Sequence, residues 1–398
     1  MPAVDGMTEG AESAAGRRVS TLELFFDLVF VFTITQLTVL LTHDLSFAQA
    51  GRVLLIFAVL FWMYGAYAYL TNQVPPETNA RRIPLILGMC GFLTCALAIP
   101  GVFTTNGVAF GLGFLLVTVV HSALYALLHG RYVLSFALTN VLAALCVTAA
   151  GTVSGRAAEG LWLAALLLQS VTPILSSRIT SDVDGERVPV TGRVGALDPA
   201  HFVERHGLLL IVAFGESVIA IGVGSGSDTG ELKLDWGLFG GVVLALALAT
   251  ALWWTYFIRD EEAAEEALRA ATGLSRFRLT MLAYYYSFVP MLLGVAVLAA
   301  GVKKSIGQLP EHLAAAPAVA LAGGVALFLA GNVAFRAVLR IPPLRFRAGG
   351  TVAALATVPL GTRVSSLAEL FALVLVLVAM LLSEARWAPC SQDERGSA

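Results

Sequence analysis

Charge is what this sequence lacks most. Only 13% of its 398 residues are Asp, Glu, Lys or Arg, about half the share found in soluble domains. The shortage runs along most of the chain, so it predicts many membrane spans rather than a soluble body with one anchor. Net charge is −2, which leaves no basic field to hold nucleic acid. Cysteine is scarce as well. Cys90, Cys95 and Cys146 lie in apolar runs, where a thiol packs as a small hydrophobe, and Cys390 lies near the end. No CxxC pair, disulfide framework or zinc site is indicated. The opening residues are polar and rich in Gly and Ala, without the apolar core of a signal peptide. There is no GxxxxGK[ST] loop, no HExxH and no local Ser-His-Asp signature. A nucleotide-binding domain and a soluble hydrolase are therefore not supported.

What the chain has in abundance is apolar length. Windows of about 20 mainly apolar residues fall at 20–42, 51–72, 83–103, 107–129, 132–151, 158–177, 203–224, 236–257, 279–301, 314–336, 346–362 and 364–384. The eleventh is short, and Pro359 interrupts it. Pro173, Pro290 and Pro359 are expected to kink their helices. The fold class this predicts is all-α, a polytopic transmembrane helical bundle of about twelve spans. With the N-terminus placed in the cytoplasm, 19 of the 25 Lys and Arg residues fall inside and 6 outside. That bias favours both termini inside.

The longest polar connection, 179–202, reads as a cytoplasmic linker. It divides the chain into a first six-helix half at 20–178 and a second at 203–387, with cytoplasmic tails at 1–19, read as disordered, and 388–398. An even number of spans per half gives both the same orientation, so an internal repeat would be parallel. Such a repeat is visible. Phe25, Asp27 and Val29 align with Phe214, Glu216 and Val218, and Phe61-Trp62-Met63-Tyr64 aligns with Trp253-Trp254-Thr255-Tyr256.

The stretch Ser20 to Leu41 stands out, because Glu23 and Asp27 lie inside its first two turns. Spaced four apart, at ~100° per residue, both carboxylates share one helix face, together with Val31, Ile34 and Thr38. Carboxylates at membrane depth are costly and turn toward a bundle interior or a water-filled cavity. Glu216 is the counterpart in the seventh window, near its middle. Gly215 before it and Gly222, Gly224 and Gly226 after it would allow close helix approach or local unwinding. Arg205 returns to nearly the same face as Glu216 but lies ~16 Å down the axis, too far to pair with it. His201, Glu204, Arg205 and His206 cluster at the cytoplasmic mouth of that window. They suit either ion binding or helix capping and interfacial anchoring. Glu369 is the most suggestive of the remaining intramembrane polar residues, which include His121, Asn140, Gln169 and Asn332. Trp253, Trp254, Tyr256 and Phe257 read as an aromatic belt.

Two stretches carry a family resemblance. Leu22-Glu-Leu-Phe-Phe-Asp-Leu-Val-Phe-Val-Phe and His201-Phe-Val-Glu-Arg-His-Gly-Leu-Leu-Leu-Ile-Val-Ala-Phe-Gly-Glu-Ser-Val resemble the bacterial low temperature requirement A (LtrA) family, and Trp253-Trp254-Thr-Tyr256-Phe257 is similar to its eighth span. The resemblance implies a polytopic bacterial inner-membrane protein and settles architecture better than activity. The chain departs from the family pattern at three places. The loop from Asn72 to Arg82 carries few acids, Thr118 stands where an arginine is common, and Phe288 and Val289 precede Pro290 where a histidine is common. A thinner likeness is to the lysosomal potassium channel family and its Arg-x-x-x-Phe-Ser-Asp signature. Here Thr21 stands in place of the arginine and Phe26 in place of the serine. By analogy this raises ion conduction.

The leading expectation is a transporter or channel moving a proton, a small cation or a proton-coupled small solute. Its candidate residues are Asp27, Glu216, Glu23, Arg205, His201, Glu204 and Glu369, and no cofactor is required. The alternative is an intramembrane enzyme acting on an isoprenoid diphosphate or lipid, with Mg²⁺ held by Glu77, Asp260, Glu261 and Glu265, since oxygen ligands suit that ion. The expected partners are the lipid bilayer and a small ion or solute, with homo-oligomerisation left open.

Overall fold

The computed structural model describes residues 18–129, 134–176, 180–183, 186–189, 197–224, 236–306, 309 and 311–387. The described chain is helical apart from one antiparallel hairpin, β1 (Thr180–Val183) and β2 (Glu186–Pro189), which pairs Thr180 with Pro189. The hairpin lies in the segment expected to be a linker, and among the described residues it is the one departure from an all-α reading.

The helices before it are α1 (Thr21–His43), α2 (Phe47–Gln73), α3 (Asn79–Ala98, with a 3₁₀ turn to Gly101), α4 (Gly107–His129), α5 (Leu134–Ala150) and α6 (Arg156–Ser176). After it come α7 (Pro199–Gly224), α8 (Trp236–Phe257), α9 (Asp260–Ala270), α10 (Gly273–Thr280), α11 (Phe288–Ile306), α12 (Ala315–Leu339), α13 (Arg345–Leu355), α14 (Val358–Arg363) and α15 (Ser366–Trp387). Among the described residues, eight helical runs are long and apolar enough to cross a membrane. They are α1, α2, α3 with its 3₁₀ turn, α4, α8 continued by α9, α10 continued by α11, α12, and α15. α5 supplies a shorter apolar run, Ala137–Ala150.

Two prolines act locally. Pro290 has no N–H for the carbonyl one turn back, and the seven residues before α11, Met281–Ser287, widen into a π-helix. Near Pro359 the eleventh apolar window breaks into α13 and α14, which is why it supplies no single spanning helix.

The chain packs as two compact units. The first holds residues 1–40, 51–212 and 261–281, and the second holds 41–50, 213–260 and 282–398. In the first, α3, α4, α5 and α6 pack in sequence. α4 and α5 approach so closely that a Cβ at Gly107 would meet the Gly151 backbone at 2.6 Å. An aromatic core of Phe26, Phe30, Phe57, Phe61, Tyr64, Tyr67 and Phe92 fills the space beside α1. α1 shows the face expected of it. Glu23, Asp27, Val31, Ile34 and Thr38 are buried, while Phe25 and Leu28 are 55% and 57% exposed. In water such an apolar exterior would be a liability, but in lipid it is the ordinary outer surface.

In the second unit, α11 and α12 form an antiparallel pair. Gly294 faces Gly324 and Phe328, Gly301 faces Leu321, and Gly331 faces Met291. Tyr256, Tyr284, Phe288 and Phe335 form the aromatic core. Tyr256 was expected in an interfacial belt but is fully buried there, and Trp253 stacks on Phe257. The glycines around Glu216 also differ from expectation. α7 runs unbroken through Gly215 and Gly222, and among the described residues a Cβ at either would meet nothing within 4 Å. Close approach is placed instead at Gly294 and Gly324.

A Cβ at Gly324 would lie 2.5 Å from the Leu298 backbone nitrogen, whereas one at neighbouring Gly323 has open space. Gly324→Val is therefore expected to destabilise the purified protein by about 1–3 kcal/mol, as overpacking does. Gly323→Ala is expected to be neutral or slightly stabilising. Denaturation in mixed micelles compares the two.

Candidate functional site

The candidate site begins with two helix starts. At α1, Ser20 and Glu23 cap each other. The Ser20 N–H and hydroxyl donate to Glu23 Oε2 at 3.0 and 2.8 Å, and the Glu23 N–H donates to the Ser20 hydroxyl at 3.3 Å. This Ser-x-x-Glu capping box answers two of the N–H groups a helix start leaves unpaired. At α7, Asp198 Oδ1 accepts from the N–H of Ala200 at 3.1 Å and of His201 at 3.4 Å, with Pro199 in the first turn. Each start then presents a pair of polar side chains four residues apart: Glu23 and Asp27 on α1, His201 and Arg205 on α7.

These two pairs meet. Arg205 Nε donates to both carboxylate oxygens of Asp27, at 3.1 and 3.2 Å, and its Nη2 reaches Oδ1 at 2.9 Å. Its Nη1 reaches Glu23 Oε1 at 3.4 Å and also donates to the Thr71 hydroxyl. His201 Nε2 lies 3.2 Å from Glu23 Oε2. The faces of Phe26 and Tyr64 lie 5.6 and 5.7 Å from the guanidinium carbon, close enough for cation–π attraction. Glu23, Asp27, His201 and Arg205 are all buried, at most 1% exposed. In that setting each charge depends on its partner, because breaking one member leaves another unpaired in low dielectric. A guanidinium suits the place, since its rigid fork and always-charged state match a carboxylate.

The other expected residues are distributed as follows. Glu204, partly buried, accepts the Val19 N–H at 3.4 Å. His206 turns away, its Nδ1 bonded to the Phe202 carbonyl at 2.9 Å and its ring against Phe202 and Tyr64. Glu216 is buried in the second unit, beside buried Ser217. Glu369 is fully buried in the first turn of α15, and among the described residues neither carboxyl oxygen has a hydrogen bond. It packs against Gly361, where a Cβ would collide with it.

Of the four acids expected for Mg²⁺, Glu77 is exposed and Glu265 pairs with Arg269. Glu261 is partly buried. Asp260 is fully buried and already engaged, accepting from Asn332 at 2.8 Å and from Arg336 at 2.9 Å. Among the described residues, no three His, Cys, Asp or Glu side chains gather as a metal site would need. The acids present do not fit a preformed Mg²⁺ site.

The Asp260 environment is a second cluster that sequence reasoning missed. Arg336 also pairs with Glu384, and Arg347 donates to Glu384 Oε2 at 2.8 Å, to Asn332 Oδ1 at 2.7 Å and to the Thr255 carbonyl at 2.9 Å. All four charges are buried and balance as two cations and two anions. A signal was available: Arg336, Arg347 and Glu384 each sit at an end of an apolar window, and the expected topology puts those three ends at one depth.

The sequence profile described as bacterial low temperature requirement A protein (LtrA) matches residues 18–382. The chain belongs to the LtrA family. The match takes in both helix starts and the Arg205 cluster they build, and with the apolar helices it makes the chain a multi-pass protein of the lipid bilayer. Uncharacterized protein RA0937 of Rhizobium meliloti (strain 1021) is similar, at 28% identity over 342 residues, covering 81% of this chain and 78% of the relative.

The second cluster gives a contrast in cost. Glu384→Leu leaves the buried Arg336 and Arg347 with one carboxylate, Asp260, between them and is expected to destabilise by about 3–5 kcal/mol. Arg52→Ala breaks the half-exposed Arg52–Glu159 pair and is expected to cost less than about 1 kcal/mol. Unfolding midpoints of the two variants in one detergent provide the comparison.

Proposed function

We propose that this LtrA protein is a transporter or channel for a proton, a small cation or a proton-coupled small solute. In this reading it lies in the inner membrane with both termini in the cytoplasm. It has about twelve spans arranged as two parallel six-helix halves, 20–178 and 203–387, related by the internal repeat. The observation that supports the reading is the buried meeting of Glu23 and Asp27 with Arg205. A proton or small cation that reaches these carboxylates competes with Arg205 for the same oxygens. Neutralising Asp27 weakens its hold on the guanidinium, which keeps Glu23, Thr71 and two aromatic faces as other partners. Arrival of the transported charge is thus coupled to a shift of one helix start against another, as alternating access requires.

Glu216 is assigned the matching role in the second half through its alignment with Asp27. Glu369 is a further candidate for a proton-carrying acid, because an ionised carboxylate with no hydrogen bond is costly to bury. The topology draws on the distribution of Lys and Arg. Arg205, Arg336 and Arg347 are buried, so they are not loop charges. Setting them aside leaves 16 inside and 6 outside of the 25, and the bias keeps its sign.

The test uses proteoliposomes enclosing a pH-sensitive dye, with imposed proton, Na⁺ or K⁺ gradients. Wild type is expected to dissipate at least one of these gradients. Asp27→Asn and Glu216→Gln are each expected to abolish that flux while retaining a folded, monodisperse protein, and Glu204→Gln to leave it near wild type. Wild-type flux in both Asp27→Asn and Glu216→Gln would contradict the reading.

A further inference from the structure

The end of α2 fixes something about His201 that its partners on α1 do not. Asn72 makes two reciprocal bonds to the backbone of Asp198: its Oδ1 accepts the Asp198 N–H at 2.9 Å, and its Nδ2 donates to the Asp198 carbonyl at 2.9 Å. The amide is thereby oriented independently of any side chain. Rotating it by 180° would set N–H against N–H and oxygen against oxygen. In the orientation the backbone demands, Nδ2 lies 3.1 Å from His201 Nδ1. An amide –NH₂ is a donor only, so His201 Nδ1 must be the acceptor. The ring proton then sits on Nε2, which donates to Glu23 Oε2 at 3.2 Å. His201 is held as one neutral tautomer, set by the hydrogen bond its far nitrogen makes.

We infer that His201 is a proton-binding site of the Arg205 cluster, and that loading it breaks the tie between Asn72 and Asp198. The proton comes from solution and adds to the Nδ1 lone pair. The new Nδ1–H would face the Asn72 –NH₂, donor against donor. The clash is relieved when the Asn72 amide rotates and offers its oxygen, and rotation removes both bonds to Asp198. Asp198 caps α7 through Ala200 and His201, so the event that loads the proton also frees the start of the helix carrying Arg205. Charged and titratable groups face the ring from α1 and from α7 itself. Glu23 lies against Nε2, and Asp27 lies one turn farther along α1. Arg205 and His206 follow on α7, and Asp198 precedes it. This deepens the transport reading and rests on it only for what the proton is used for; the protonation linkage itself stands on the geometry.

The experiment uses the full chain in lipid nanodiscs, with no measurement of flux, so its failure is separable from that of the transport reading. The chain contains six histidines, and comparison with a His201→Gln sample assigns the His201 ring among them by ¹⁵N NMR. At pH 7.5 wild type is expected to show one protonated nitrogen, Nε2, and one bare nitrogen. Asn72→Asp places an acceptor opposite Nδ1 and is expected to give a ring protonated on both nitrogens at the same pH. A doubly protonated ring in wild type, or a bare Nδ1 in Asn72→Asp, would overturn the inference.

Should Asn72→Asp fail to fold, amide exchange of residues 198–202 serves in wild type and His201→Gln. Wild-type protection, corrected for intrinsic rates, is expected to fall about tenfold from pH 7.5 to 5.5, the scale of losing one or two neutral hydrogen bonds. His201→Gln is expected to show no such fall. The same fall in both proteins, or none in wild type, would also overturn it.

Discussion

Arg205 cannot be solvated where it sits, and that constraint organises the first unit. A buried guanidinium needs carboxylate oxygens within reach, and Glu23 and Asp27 supply them from one face of α1. Holding those acids at the right height requires α1 to begin at Ser20, which its capping box with Glu23 ensures. Holding Arg205 at the same height requires α7 to begin at Asp198, which its cap and Asn72 ensure. Helix starts, caps and charges therefore specify one register together. Phe26 and Tyr64 then close the apolar side of the cluster. Glu23 serves two ends at once, as helix cap and as ion partner.

The second unit solves the same problem with a different balance. Asp260, Glu384, Arg336 and Arg347 match cation for anion, and Asn332 and backbone carbonyls engage the remaining donors. Such a set is suited to holding helices in place, because every member is already paired. The first cluster sets two acids against one guanidinium, with a histidine held neutral beside them. It has a site at which a proton changes the hydrogen-bond pattern, which is the property a device coupled to protons needs.

Much of this was legible in the sequence, for identifiable reasons. The spacing of Glu23 and Asp27 fixes their shared face whatever surrounds them, and the burial of Val31, Ile34 and Thr38 follows from the same period. The spacing of His201 and Arg205 likewise places them together. What spacing cannot supply is which helix lies opposite. Arg205 was excluded as a partner of Glu216 by distance along one helix, but its pairing with Asp27 depends on a contact 178 residues away in the chain. Asn72 carried no local signal at all, since its role comes from the backbone of Asp198. Glycine misled around Glu216, because Gly215 and Gly222 resemble packing residues and meet open space. Tyr256 misled for a related reason: its place beside two tryptophans suggests an interface, and only packing against Phe288 and Phe335 shows a core.

The pairing of Arg205 with Asp27 is the point on which the site stands, and a double-mutant cycle measures it directly. The four proteins are wild type, Asp27→Asn, Arg205→Met and the double variant, unfolded reversibly in mixed micelles. If the guanidinium and carboxylate meet in lipid as described, the two substitutions are coupled by at least about 1.5 kcal/mol, the lower range for close buried charge pairs. The double variant is then more stable than the sum of the two single costs predicts, by that same amount. Costs that add to within about 0.5 kcal/mol, as for residues that do not touch, would contradict the account.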